Sequence, residues 1–136
     1  MPIVVDASAV LSSMLRESDQ AAVRMRAELA RQEWIVPALW WFEVRNGLIV
    51  SERRGRTSEQ LTTGYLRELA QIATTIDAPP DDESLMALAR KHRLTIYDAA
   101  YLELALRQDL PLATLDGDLI EAARAEAVPL VGAGDG

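Results

Sequence analysis

Four acidic residues stand where a soluble fold normally places apolar or neutral ones. Asp6 closes the apolar run Ile3-Val4-Val5, and Asp116 closes the run 112–115. Asp98 opens a helical stretch over 99–107, and Glu43 interrupts Leu39-Trp40-Trp41-Phe42 before Val44. A carboxylate so placed must be hydrogen-bonded, paired or metal-bound, because burying it bare is too costly. Too few cations lie near these four to pair them all. A divalent cation would serve all of them at once, which points to metal-dependent chemistry. Hard cations such as Mg²⁺ and Mn²⁺ prefer oxygen ligands, and carboxylates with waters supply them. Such an ion can generate a hydroxide nucleophile near neutral pH and neutralise charge developing on a phosphoryl group. Acids without histidines are what phosphodiester hydrolysis by metal-bound water needs.

Secondary candidates surround this set. Asp118 lies two residues past Asp116 and is either a further ligand or a helix cap or first-turn acid. Ser8 and Thr114 could hydrogen-bond the acids or their waters, although hydroxyls at strand ends and helix caps are common for structural reasons. Asn46 shares a helical face with Glu43 at i, i+3. Plainer roles exist for the main acids too. Asp98 could be a helix cap, Asp6 could bond the next helix in Asx fashion, and Glu43 could pair with Arg45 or Arg16. Other chemistries fare worse. The only histidine, His92, sits in Lys91-His92-Arg93 at a helix end, where a solvated capping role is expected. One histidine and no cysteine exclude a two-histidine ribonuclease and a Cys/His hydrolase. No Gly-rich phosphate loop is present.

The elements that must position these residues follow from the apolar pattern. Short β-branched segments recur at Ile3–Val5, Trp34–Val36, 73–76, 112–115 and 130–131. Helical spacing fills 8–15, 19–32, 38–54, 58–72, 82–92, 98–108 and 117–126, with Thr57 and Gln60 at capping-box spacing. This alternation predicts an α/β fold: three α/β/α layers around a parallel sheet of about five short strands, with right-handed crossovers. Ligands in such sheets bind at the carboxyl ends of strands, where Asp6 and Asp116 both fall. The 136 residues fit one domain, 1–136, with 132–136 expected to be a disordered tail. The absence of cysteine suits a reducing cytoplasm. No basic n-region precedes Ile3, so no signal peptide is read, and no apolar run approaches the ~20 residues of a membrane helix. The net charge of −7 argues against binding nucleic acid over the whole surface. Arg53, Arg54 and Arg56 nevertheless form a local basic strip, either a solvated helix end or an RNA contact. The run Leu39-Trp40-Trp41-Phe42 points to all sides of its helix, so at least one Trp is expected on a face left for another chain.

The segments Val5-Asp6-Ala7-Ser8-Ala9, Val36-Pro37-Ala38-Leu39-Trp40 with Phe42-Glu43-Val44-Arg45-Asn46, Leu94-Thr95-Ile96-Tyr97-Asp98-Ala99-Ala100-Tyr101 and Ala113-Thr114-Leu115-Asp116 resemble the PIN-domain ribonucleases. They are most similar to the VapC-type toxins of toxin–antitoxin pairs, in order and over nearly the whole chain. That resemblance implies Asp6, Glu43, Asp98 and Asp116 as the acidic metal-binding quartet. Asn46 and Thr114 match supporting positions, and Asp118 a position acidic in only some members. It implies a Mg²⁺- or Mn²⁺-dependent endoribonuclease, a homodimer, an inhibitory VapB-type antitoxin and RNA targets among which tRNA is common. Two other readings compete. A receiver or phosphatase phosphorylated on aspartate would want a second Asp where Ser8 stands, or acids beside Asp6 and a lysine after a late strand. A binding module without catalysis would have no need of all four acids.

Overall fold

The structure is a computed structural model that describes residues 2–15 and 19–131. Its elements run β1 (Ile3–Val5), α1 (Ala7–Leu15), α2 (Gln20–Ala30), β2 (Trp34–Val36), α3 (Leu39–Arg53), α4 (Glu59–Ala70), β3 (Thr74–Ile76), α5 (Asp82–His92), α6 (Ile96–Gln108), β4 (Leu112–Ala113) and α7 (Gly117–Ala125). The strands form one parallel sheet in the order β3-β2-β1-β4. All three residues of β1 are buried, as a central strand covered on both faces requires. The chain moves outward from β1 through β2 to β3, then crosses back to lay β4 on the other side of β1. The strand order therefore reverses between β1 and β4, and a crevice opens at their carboxyl ends. The α/β class and the helix-covered parallel sheet are as the sequence pattern predicts.

Several boundaries differ from the sequence reading. Four strands form, and the fifth reduces to a single bridge between Leu112 and Leu130. Pro129 gives Leu112 a carbonyl at 2.8 Å, and the Val131 N–H returns to the Leu112 carbonyl at 2.9 Å. That short pairing still shields the β4 edge. The strand ends at Ala113, so Asp116 sits in the loop beyond it. α4 is capped by Ser58, whose hydroxyl accepts the Leu61 N–H, and not by Thr57. α6 begins two residues earlier than expected because the Thr95 hydroxyl accepts the Asp98 N–H at 3.1 Å. His92 is not solvated: its side chain is 11% exposed and its Nε2 lies 2.6 Å from Glu126. The segment 132–136 lies outside the described residues.

Two packing features fix the frame of the crevice. Residues 99–105 of α6 are all buried, so this helix runs through the core and not over it. At Gly47, α3 lies so close to α1 that any Cβ would collide with Leu11. The aromatic run divides as a helix in contact with only one side of a core must. Trp40 is buried edge-on against Trp34, whereas Trp41 and Phe42 are exposed and pack on each other. Trp40→Ala should cost about 3–5 kcal/mol in urea unfolding. Phe42→Ala should stay within about 0.5 kcal/mol, as an exposed side chain does.

Candidate active site

Asp6 follows β1 directly and is 3% exposed. Its Oδ1 accepts the Ser8 hydroxyl at 2.7 Å and the Ala9 N–H at 2.9 Å, and its Oδ2 accepts the Thr114 hydroxyl. The expected Asx-type bond is thus real, and it is only part of what holds this carboxylate. Thr114 also accepts the Asp116 N–H at 3.0 Å, and Ser8 accepts the Leu115 N–H at 3.1 Å. Two hydroxyls therefore lash the loop after β4 to the start of α1. Asp116 in turn caps α7, its Oδ1 accepting the Asp118 N–H at 2.9 Å.

Asp98 occupies the first turn of α6. The N-cap there is Thr95, whose hydroxyl accepts the Asp98 N–H, so Asp98 is not itself the cap. A Thr three residues before an acid is the spacing that should have revealed this. Glu43 lies on α3 and accepts the Tyr101 hydroxyl at 2.6 Å. It does not pair with Arg45, which stacks over Trp41 at 3.8 Å and donates to the Trp41 carbonyl. Arg16 lies outside the described residues. Tyr101 is the site residue to which the sequence reading assigned no role. Its position one turn after Asp98 was the available signal.

The electrostatics show that the four acids share one neighbourhood. Burial pushes Asp6 above the ordinary carboxylate range; its three donors offset only part of that, and Asp116 adds repulsion. Burial also raises Glu43 against the Tyr101 bond, with Asp6 adding to the rise. Asp98 is pushed up to about 6 by burial and by the charges of Asp116, Asp6 and Glu43. The donor set is all hard oxygen, which suits Mg²⁺ or Mn²⁺. Among the described residues, no three of these side chains stand close enough together, as placed, to hold a metal ion.

The other candidates distribute unevenly. Asp118 is exposed in the first turn of α7, its N–H bonded to Asp116, and lines a cavity with His92 and Glu121. Asn46 is exposed on α3. Arg53 and Arg54 end α3, exposed, and Gly55 turns the chain with φ of 72°. Arg56, just beyond, lines a groove of about 660 Å³ with Ser8, Gly47, Ser51 and Leu115. That groove meets the quartet at Ser8, the residue that holds Asp6.

Residues 3–125 match the PIN domain model. The chain belongs to the PIN-domain family. It is 37% identical over 134 residues to Ribonuclease VapC3 of Pyrobaculum aerophilum, covering 95% of this chain and 100% of that one. It is 36% identical over 122 residues to Ribonuclease VapC3 of Mycobacterium tuberculosis, covering 88% and 86%. The fold is shared with a solved Pyrobaculum aerophilum protein at a TM-score of 0.68 and 23% identity, covering 96% and 92%. This PIN domain is thus of the VapC type, and the receiver and phosphatase readings fall away.

The raised Asp98 carboxyl has a consequence for stability. Its ordinary value is 3.8 and its folded value about 6, so the folded chain binds the proton more tightly. The stabilisation is complete below about 3.8 and is lost as pH rises through about 6. In chelator, Asp98→Asn should flatten the fall in melting temperature across this window. Parallel pH curves for the two proteins would mean that Asp98 feels no crowding.

Proposed function

We propose that this chain is a Mg²⁺-dependent endoribonuclease, with Mn²⁺ as a substitute, that hydrolyses RNA phosphodiester bonds as the toxin of a toxin–antitoxin pair. The observation that supports this most is the meeting of Asp6, Glu43, Asp98 and Asp116 at the strand-order reversal, with only oxygen donors. The names of the VapC3 relatives agree with it. Asp6, Asp98 and Asp116 are the residues that would hold the ion, with Asp118, exposed two residues past Asp116, as a further candidate. The ion, when bound, supplies Lewis acidity toward the phosphate and an acidified water. Ser8 and Thr114 hold Asp6 in one orientation. Glu43, made more basic by burial, takes a proton from the attacking water at its carboxylate. Asn46, one turn along α3, supports the same rim.

Arg53, Arg54 and Arg56 are the proposed contacts to the RNA backbone, giving local attraction against a net charge of −7. By the family resemblance tRNA is among the candidate substrates, and Arg56 gives the groove a basic side. The exposed Trp41 and Phe42 mark α3 for a partner chain, either a second copy in a homodimer or a VapB-type antitoxin. An antitoxin would most simply inhibit by setting an Arg fork on the acidic rim. No described helix is long and apolar enough to cross a membrane, and the reducing cytoplasm is the proposed setting.

The test is cleavage of a mixed RNA pool with Mn²⁺ and with chelator. The wild-type chain should cut only with metal. Asp98→Ala should abolish cutting while costing less than about 1 kcal/mol of stability, because Thr95 supplies the cap. A fully active Asp98→Ala protein, or cutting that persists in chelator, would overturn the reading.

A further inference from the structure

Tyr101 lies one turn beyond Asp98 on α6 and is 1% exposed. Its ring is locked among core residues, so its hydroxyl has one place to be. That hydroxyl donates to Glu43 Oε1 at 2.6 Å. This one bond joins the middle of α3 to the body of α6, the two helices that carry Glu43 and Asp98.

The bond restrains a side chain that has no other anchor. Glu43 has three rotatable bonds and is only half-buried, and among the described residues no Lys or Arg forms an ion pair with it. Left alone, it would turn toward water and away from Asp6, whose negative charge repels it. A phenylalanine would fill the core as well as Tyr101 does. The hydroxyl is thus the informative group, and its burial is tolerated because Glu43 accepts its hydrogen bond.

We infer that Tyr101 is a positioning residue for the proposed hydrolysis: its hydroxyl holds the Glu43 carboxylate in one orientation and ties α3 to α6, the two helices that carry Glu43 and Asp98. The inference rests on the nuclease reading. It assigns Tyr101 no contact with substrate, metal or the reacting atoms.

The experiment compares Tyr101→Phe, Glu43→Ala and the double variant in the Mn²⁺-dependent RNA assay. Tyr101→Phe should lower kcat by roughly 10-fold to 100-fold, the range for groups that orient a reactive residue, with KM changed by less than about threefold. In the Glu43→Ala background the same substitution should lower the residual rate by less than about twofold, since a group that acts through Glu43 has nothing left to position. A core-only role would give a near-normal kcat, or the same fractional loss in both backgrounds, and either result overturns the inference. Melting curves check that all three variants fold; if Tyr101→Phe unfolds, 3-fluorotyrosine at position 101, whose more acidic hydroxyl donates more strongly to Glu43 without changing the ring's packing, must shift the acidic limb of the kcat pH profile downward, or the inference fails. A wild-type chain that does not cut RNA with Mn²⁺ would sink the nuclease reading and this inference together. A wild-type chain that cuts, beside an unimpaired Tyr101→Phe, sinks this inference alone.

Discussion

A carboxylate that is 3% exposed and surrounded by other carboxylates sets the terms for everything near it. Asp6 cannot move to water, because it follows directly on the central strand. It cannot be neutralised by a cationic side chain, because no described Lys or Arg reaches it. Its charge is tolerated through three donors from Ser8, Ala9 and Thr114, and these fall short of the burial and repulsion it meets. The same imbalance recurs at Glu43 and at Asp98. Under the proposed function, a hard divalent cation would offset this deficit, and an all-oxygen donor set suits one.

The fold supplies this crowding with little special apparatus. The strand-order reversal between β1 and β4 brings two loops to one crevice. Ser8 and Thr114 join those loops by bonds that serve the acids and the backbone together. Asp116 caps α7 and still presents its charge to Asp6 and Asp98. Thr95 caps α6, and Asp98 in its first turn lies near Asp116, Asp6 and Glu43. Tyr101 carries the core outward to Glu43. Ordinary capping and packing thus become site architecture when the helix starts face one another.

The sequence was most legible where chemistry violates the pattern of burial. Asp6, Glu43 and Asp116 stood out because acids interrupt or end apolar runs, and Asp98 because it opens a helix; their charges act on one another in the fold. Strand and helix order was legible because parallel strands are short and β-branched. Boundaries were not, since one hydroxyl decides them: Thr95 moves the start of α6 by two residues, and Ser58 displaces Thr57. The fifth strand was lost because 130–131 offers a single bridge where a strand needs a run. His92 was misread because its partner, Glu126, is 34 residues away and no local spacing announces it. Tyr101 was hidden for the opposite reason, as an aromatic residue in a core helix looks complete without its hydroxyl.

The central claim is that the acids repel one another in the fold and that a cation relieves them. Thermal unfolding of the wild-type chain and Asp116→Asn, in chelator and in Mn²⁺, tests it most directly. Asparagine caps a helix about as well as aspartate, so the substitution removes charge and little else. The account requires the variant to melt higher in chelator by a few degrees, since 1 kcal/mol is worth about 3–5 °C in a chain of this size. It also requires a smaller gain on adding Mn²⁺. A variant that melts lower in chelator and gains as much from Mn²⁺ as the wild-type chain would contradict the account.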